Sequence, residues 1–455
     1  MPASDQPNVI VCLCDQLRSF EVGCYGNRVI QTPNIDQLAQ NGVWFDVACP
    51  NNPVCTPSRS ILLSGQHSRT CTGALSNLAE TPPSAERIRL TDPTLPEAFQ
   101  NAGYDTALIG KWHVHPDPSI VGFDETIYPH HSHRHTEQTF FRNSGDGFVV
   151  EGFSPDLEIG EVETYIQAHQ DDPFFLFYNI SPPHMPLADA PEKYTQMYHR
   201  DDVIMRENVF IDGEMAYDEE WFKIYLWDYL YYQQHLPHTE DLPSGFDLKD
   251  MMALYYGLTT WVDDLVGQLV SILKTNGLLE NTILLFTSDH GDNLGSHHAF
   301  NKGRLIEESI RIPMLYHWPD QLSPMHHTTQ VASIMDIYPT LCGLCNLPIP
   351  DAIQGQDLSS VVTGQVETVG ENMAFIETGR GEIGVRTPTH LYGIELDVEN
   401  KKGADRPLKN DRHMFHDLCE DPFEWHNLAE TETQADLGAH LRERVIRWNE
   451  ETPWR

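Results

Sequence analysis

Residues 251–291 read MMALYYGLTTWVDDLVGQLVSILKTNGLLENTILLFTSDHG. Leu254, Leu258, Trp261, Leu265, Leu269 and Ile272 recur at steps of three and four, the spacing that lines one face of a helix and predicts one over residues 251–274. Asn276-Gly277 breaks the pattern, and residues 282–288 follow as a strand that ends on Asp289 and His290. The same alternation recurs along the chain. Residues 8–14 are apolar after the first, as in a strand buried on both faces, and residues 32–40 read as a helix with Pro33 in its first turn. Residues 95–102 read as a helix closed by Gly103, residues 104–113 as a strand, and residues 173–180 (PFFLFYNI) as a third buried strand. Strands alternating with helices predict an α/β fold: a large mixed, mostly parallel sheet flanked by helices.

The chain has 455 residues, more than one hydrophobic core ordinarily spans. The pattern changes after about Gly355, to short strand-like pieces at 373–377, 383–386 and 391–396 and a helix near 435–448. These predict a main domain over residues 1–355 and a smaller C-terminal α+β domain over 356–455. Two irregular stretches interrupt the main domain. One, near 128–150, opens with the His-rich YPHHSHRH; the other, near 194–250, is rich in Tyr, Trp and acid, and both read as insertions around a site mouth.

Lys plus Arg number 29 against 67 Asp plus Glu, a formal net charge of −38, which disfavours nucleic acid or an anionic membrane as partner. An anionic substrate then requires a local cationic pocket, because the long-range field repels it until salt screens the charges. No apolar stretch approaches a membrane span, and the first residues, MPASDQPNVIVCLCDQ, show neither a basic leader nor a small-residue cleavage site. The expectation is a cytoplasmic protein, or a periplasmic one if a leader was removed. The nine cysteines are odd in number and lie mostly in apolar runs, as reduced core thiols do. Cys12 and Cys14 read as core, and Cys342-Gly-Leu-Cys345, which lacks a second pair nearby, as a helix end.

In open α/β sheets ligands collect at the carboxyl ends of strands. Asp15 with Gln16 ends the first strand and Asp289 with His290 ends another, so together they suggest a cation site of two carboxylates, an amide oxygen and an imidazole. In Cys55-Thr-Pro-Ser-Arg59, Thr56 is read as the cap of a helix starting at Pro57. That places Cys55 just before an exposed helix N-terminus, where an anion is favoured, with Arg59 in the first turn. His130, His131, His133 and His135 read as a metal site, as a polar loop at the substrate mouth or as a merely solvated loop. Tyr225, Trp227, Tyr229, Tyr231 and Tyr232 read as a stacking surface for a sugar ring or as packing between insertion and core.

The run CTPSRSILLSG at 55–65 resembles the signature of the type I sulfatases of the alkaline phosphatase superfamily, in which this cysteine is converted to formylglycine. TPNID at 32–36, TLPEAFQNAGYDTALIGKWH at 94–113, SPPHMP at 181–186, SDHG at 288–291, NKG at 301–303 and HDLCEDPFEWHNLAE at 416–430 follow in family order. The resemblance implies an alkaline phosphatase-like fold, with residues 1–355 as the catalytic domain. It implies a divalent cation, most often calcium, on Asp15, Gln16, Asp289 and His290 together with residue 55. Cys55, as a formylglycine hydrate, attacks sulfur; Arg59 and Lys111 offset negative charge; His113 collapses the sulfated diol; His184 and Lys302 bind the bridging oxygen and protonate the leaving group. Many family members carry a second aspartate where Gln16 stands and an asparagine where His290 stands, so manganese or zinc enters as an alternative. The same Gln and His resemble the phosphonate monoester and phosphodiester hydrolases of the superfamily, whereas Lys111 and His113 look sulfatase-like. The reading that follows is a sulfatase of a sulfated carbohydrate or small molecule, matured by a formylglycine-generating enzyme, with a homo-oligomer left open. The alternatives are a phosphonate or phosphodiester hydrolase and a non-catalytic sulfoglycan-binding protein.

Overall fold

The apolar run at the start forms β1 (Asn8–Asp15), buried at every position. The computed structural model describes residues 6–77, 90–129, 133–211, 213–215, 224–225, 247–397 and 406–455. The further strands of the large sheet are β2 (Val43–Cys49), β3 (Asp105–Gly110), β4 (Glu125–Pro129), β5 (Thr139–Arg142), β6 (Phe148–Val149), β7 (Phe174–Pro183), β10 (Thr282–Ser288), β11 (Met314–His317) and β12 (Met325–Ser333). They lie in the order β12-β2-β11-β10-β1-β7-β3-β4-β5-β6, while β8 (Phe210–Ile211) and β9 (Glu214–Met215) form a separate short hairpin. β1 runs parallel to both β10 and β7, β3 parallel to β7 and β4, and β12 parallel to β2. β11 is antiparallel to both its neighbours, as are β4 to β5 and β5 to β6. The fold is the mixed, mostly parallel α/β sheet that the sequence predicts.

Successive side chains of a strand point to opposite faces. Ile10, Cys12 and Cys14 pack among residues of the helices Pro33–Asn41, Ser154–Ala168 and Leu248–Thr275, and Val9, Val11 and Leu13 among those of Cys55–Ser64, Leu95–Asn101 and Ile337–Leu344. Cys342 and Cys345 lie in the second of these cores. The Leu248–Thr275 helix starts three residues before the predicted bound because Asp247 caps it: its carboxylate accepts from Lys249 N–H, and Asp250 accepts from Asp247 N–H at 2.8 Å.

Register is what gathers the site. Cys14 lies opposite Ser288, Asp15 opposite Pro183, and Gly110 opposite Asn179. Asp15, Asp289, His184 and Lys111 therefore leave neighbouring strands at the same edge.

Two expectations change. Part of the stretch near 128–150 is ordered sheet, since β5 and β6 extend the large sheet beyond β4 by antiparallel pairing. Of the stretch near 194–250, the described residues form short turns and the β8–β9 hairpin. Trp227, Tyr229, Tyr231 and Tyr232 lie outside the described residues, as do His130 and His131. Towards the C-terminus, β13 (Ala374–Glu377), β14 (Glu382–Arg386), β15 (His390–Leu396) and β16 (Leu408–Asp417) form an antiparallel sheet in chain order. The helix Ala435–Glu451 covers it, with Leu441, Val445 and Trp448 against Val385, Ile394 and Phe415. β16 was not expected: its residues, LKNDRHMFHD, are mostly polar. Among the described residues no helix is long and apolar enough to cross a membrane.

Candidate active site

β1 ends at Asp15, and Gln16 turns the chain in left-handed backbone, φ 67°. Asp289 leaves β10 beside it, its N–H bonded to Cys14 O at 3.2 Å, and Gln16 N–H donates to Asp289 Oδ1 at 3.1 Å. The helix that carries residue 55 begins at Cys55 itself, with Val54 as its N-cap, and that end is buried. The reading of Thr56 as the cap of an exposed helix end is corrected here: the Thr56 hydroxyl donates to His113 O at 3.0 Å. Four residues on, Arg59 turns back across the helix start and joins the two aspartates. Its Nε lies 2.9 Å from Asp289 Oδ2 and its Nη2 3.1 Å from Asp15 Oδ2. Burial opposes the charge of Arg59, but Asp289 and Asp15 raise its pKa.

Lys111 and His113 do not lie on one extended segment, as the sequence suggested. β3 stops at Gly110, whose φ is +96°, and His113 is itself left-handed at φ 52°. A Cβ at Gly110 would lie 2.0 Å from Asn179 O, so only glycine lets the chain turn against β7 and drop Lys111 into the site. Lys111 Nζ pairs with Asp15 Oδ2 and lies 4.0 Å from Cys55 Sγ, and the His113 carbonyl takes the hydroxyl of Thr56, the residue next to Cys55.

Lys302 is the hub of the cluster. Its Nζ lies 2.9 Å from Cys55 Sγ, 3.0 Å from His184 Nε2 and 2.9 Å from Gln16 Oε1. His184 Nδ1 sits 2.5 Å from Met185 O, and His290 Nδ1 2.9 Å from Gly291 O. A carbonyl only accepts, so both rings carry a proton on Nδ1 and turn Nε2 into the site. His290 Nε2 then lies 3.2 Å from Cys55 Sγ, 3.4 Å from Asp289 Oδ1 and 3.7 Å from Asp15 Oδ1. All ten residues singled out from the sequence thus meet at one edge of the sheet.

The electrostatics are those of a buried pocket with interleaved charges. Burial opposes ionisation of the Cys55 thiol, but the positive charges of Lys111, Lys302 and His290 hold its pKa well below the ordinary value. Burial and the neighbouring Lys302 push His184 down to about 3. Burial disfavours a charged His290, yet Asp289 and Cys55 raise its pKa, so the site favours positive charge at Nε2. Burial and Asp15 raise the pKa of Asp289. One donor atom each from Asp15, Cys55, Asp289 and His290 lies within 4.8 Å of every other. Two carboxylates, an imidazole with Nε2 facing them and an amide oxygen one lysine away form a donor set that fits a divalent cation.

Of the histidine-rich stretch, read as a polar loop at the substrate mouth, His133 enters the site. Its ring stacks on His184 with centroids 4.0 Å apart and 12° between planes, and its Nδ1 lies 2.9 Å from Lys111 Nζ. His135 goes elsewhere: it is buried edge-on to Trp261, with Nδ1 2.7 Å from Asp189 O. Among the described residues these histidines do not form a metal site with one another. Tyr225 presents no face to a sugar; it is buried, and its hydroxyl donates to Asp292 Oδ2 at 2.8 Å. A further group, His297, Glu308 and Glu424, also has ligand atoms within 4.8 Å of one another. There Arg206 Nε bonds Glu308 Oε1 at 2.6 Å and Asn208 Nδ2 lies 3.2 Å from His297 Nε2, so its polar groups already serve as a joint between segments.

A nucleophilic side chain, two lysines, four imidazoles and paired aspartates meet at the carboxyl edge of a mixed sheet, an arrangement that fits the alkaline phosphatase-like α/β hydrolase the resemblance implies. The family model of the sulfatases matches residues 7–347, and that of the N-sulphoglucosamine sulphohydrolase C-terminal region matches residues 295–451. The chain belongs to the sulfatase family and is a sulfuric ester hydrolase. It is 30% identical over 473 residues to the ulvan-active sulfatase of Formosa agariphila, a match that covers 98% of this chain and 82% of that one. A solved structure in complex with its substrate D-glucosamine-2-N,6-O-disulfate superposes with a TM-score of 0.81 at 21% identity, over 98% of each chain. The phosphonate monoester hydrolase of Agrobacterium radiobacter superposes with a TM-score of 0.71 at 22% identity, over 98% of this chain and 96% of that one.

Proposed function

We propose that this sulfatase hydrolyses sulfate monoesters of carbohydrates, with residue 55 acting as formylglycine beside a divalent cation held by Asp15, Gln16, Asp289, His290 and residue 55. The observation that carries this is the convergence on one sulfur atom: Lys302, His290, Asp15 and Lys111 all lie within 4.0 Å of Cys55 Sγ. Calcium is the cation the resemblance implies, and manganese or zinc are those that His290 would admit. When bound, the cation polarises a sulfate oxygen and the nucleophile. Formylglycine, once hydrated, offers one hydroxyl to bond sulfur as the alcohol oxygen leaves, and a second whose deprotonation re-forms the aldehyde and releases sulfate. Arg59 holds the two aspartates in place, and Lys111 and Lys302 supply the local positive charge that a chain of net charge −38 needs to receive an anion. His184 is neutral and accepts from Lys302, which leaves Lys302 as the group with a proton to give to the departing alcohol oxygen. His113, whose carbonyl is tied to the hydroxyl of Thr56 at 3.0 Å, is the group to which the resemblance gives the proton when the aldehyde re-forms.

A carbohydrate substrate is supported by two of the relatives, one an ulvan-active sulfatase and the other solved with a disulfated glucosamine as its substrate. The experiment is expression with a formylglycine-generating enzyme, then measurement of sulfate released from 4-nitrophenyl sulfate and from a panel of sulfated sugars. Peptide mass across residue 55 reports conversion. Replacing Cys55 by Ala is expected to abolish turnover with the melting temperature nearly unchanged; retained turnover removes residue 55 as nucleophile. Gln16 and His290 also occur in the phosphonate-hydrolase pattern, so the matching phosphonate monoester is assayed beside the sulfate, and faster turnover of the phosphonate would replace the sulfate reading.

A further inference from the structure

We infer that Asp292, assisted by Tyr225, is a positioning residue that fixes which end of the Gln16 side chain faces the cation seat, and thereby sets the affinity of that seat. The inference rests on the cation reading above and concerns residues to which that reading gives no role. The two ends of a glutamine amide have nearly the same shape and opposite chemistry: Oε1 can ligate a cation, and Nε2, with two hydrogens, repels one. A second aspartate at this position would present oxygen either way round. Gln16 presents it only if something holds the amide.

The partners decide the orientation without reference to how the amide atoms are assigned. Asp292 Oδ2, which only accepts, lies 2.5 Å from Gln16 Nε2, and Lys302 Nζ, which only donates, lies 2.9 Å from Oε1. The Tyr225 hydroxyl spends its hydrogen on Asp292 Oδ2 at 2.8 Å, so its lone pair faces Gln16 Nε2 at 3.3 Å. Asp292 is itself fixed, because Oδ1 accepts from Leu294 N–H at 3.0 Å. That contact is an ordinary Asx turn and explains Oδ1 alone; Oδ2 has no local use and is turned to Gln16. The backbone of Gln16 is held equally firmly, by Asp289 Oδ1 on its N–H and by the Tyr255 hydroxyl on its carbonyl at 2.6 Å. Gln16 and Asp292 are fully buried, so no bulk water competes for the amide. The carboxylate also brings a negative charge behind a position that lacks one.

The test is titration of the metal-stripped full chain with Mn2+ by calorimetry, for wild type, Asp292→Ala, Asp292→Asn and Tyr225→Phe, with melting curves as folding controls. Asp292→Ala is expected to weaken binding about 10–100-fold. Asp292→Asn keeps a single oxygen for either Leu294 N–H or Gln16 Nε2 and should lose part of the affinity, and Tyr225→Phe should give a smaller loss than Asp292→Ala. Affinity unchanged in Asp292→Ala overturns the orienting role. Crystal structures of the stripped proteins give a reading independent of cation binding. A Gln16 amide that rotates or withdraws in Asp292→Ala supports the inference, and an unmoved amide overturns it. If wild type binds no Mn2+, the cation reading fails separately and the structures still decide what holds Gln16. Should Asp292→Ala fail to fold, Tyr225→Phe with unchanged affinity and an unchanged amide overturns the inference.

Discussion

A lysine ammonium has three hydrogens to place, and at Lys111 the partners are Asp15 Oδ2, His133 Nδ1 at 2.9 Å and residue 55 at 4.0 Å. His133 thus determines how the ammonium is turned, and its stacked ring also steadies His184 on the opposite side. Replacing His133 by Ala is expected to lower kcat on 4-nitrophenyl sulfate about 10–100-fold, with a smaller change in KM, because the groups affected act on charge that develops during the reaction. An unchanged kcat would reduce the ring to packing. Asp15 and Asp289 were legible from their own elements, directly after buried strands, whereas Cys55, Arg59, Lys111, His113, His184 and Lys302 were reached through the motifs that resemble the family. Asp292 was not legible, and His133 was legible only as part of a loop at the substrate mouth, without its partners. Their partners are 22 residues away for His133, at Lys111, and 276 residues away for Asp292, at Gln16, and no local pattern announces contacts made across the edge of a sheet.

The strand ends are where element geometry becomes chemistry. β3 delivers Lys111 only because Gly110 takes φ +96° with Asn179 O where a Cβ would be. Replacing Gly110 by Ala is expected to push the end of β3 away from β7, displace Lys111, lower kcat at least about tenfold, and destabilise the fold by about 1–3 kcal/mol. Denaturant unfolding and turnover, measured together, check it; a variant with wild-type values for both would show that the turn has slack. The same logic explains which elements could be read in advance. β1, β7 and β10 are covered on both faces and so consist of unbroken apolar runs, while the Leu248–Thr275 helix carries a stripe at helical spacing. β16 is stabilised by pairing with β15 rather than by its composition, and β5 and β6 are short pieces whose strand character comes from the edge they extend. The helix start at Cys55 was misplaced for a similar reason: the carbonyl of His113, far along the chain, claims the Thr56 hydroxyl that would otherwise have capped it.

At the scale of the whole molecule, buried polar latches join the sheet β13–β16 and its helix to the body that carries the site. Arg386 grips Glu307 through Nε at 2.7 Å and Nη2 at 3.0 Å, and Arg69 Nε bonds Glu377 at 2.8 Å while its guanidinium lies 4.3 Å from the Trp448 ring centroid. His67 completes this side: its Nε2 accepts from Trp448 Nε1–H at 3.0 Å, which requires a neutral ring, and burial together with Arg69 pushes its pKa down to about 3. The consequence for stability has a definite sign. In the unfolded chain His67 titrates near its ordinary value of 6.5, so below that pH the unfolded state binds a proton that the folded state refuses. The stability contributed by neutral His67 is therefore fully present above pH 6.5 and is lost progressively as the pH falls from there toward about 3, by up to about 1.4 kcal/mol per pH unit from this one group. Replacing His67 by Asn, whose side-chain oxygen can accept from the same indole N–H without titrating, is expected to flatten this part of the acid limb. The measurement is urea unfolding of wild type and variant at intervals from pH 7 to pH 5. Because the carboxylates contribute alike to both proteins, the difference between the two curves isolates His67; curves that run parallel would mean that the imidazole is already solvated, or that the indole is held by other groups. A gap that opens on acidification would place the loosening at the seam between the Trp448 helix and the Ser68–Cys71 helix, 13 residues from Cys55 in sequence at its nearer end.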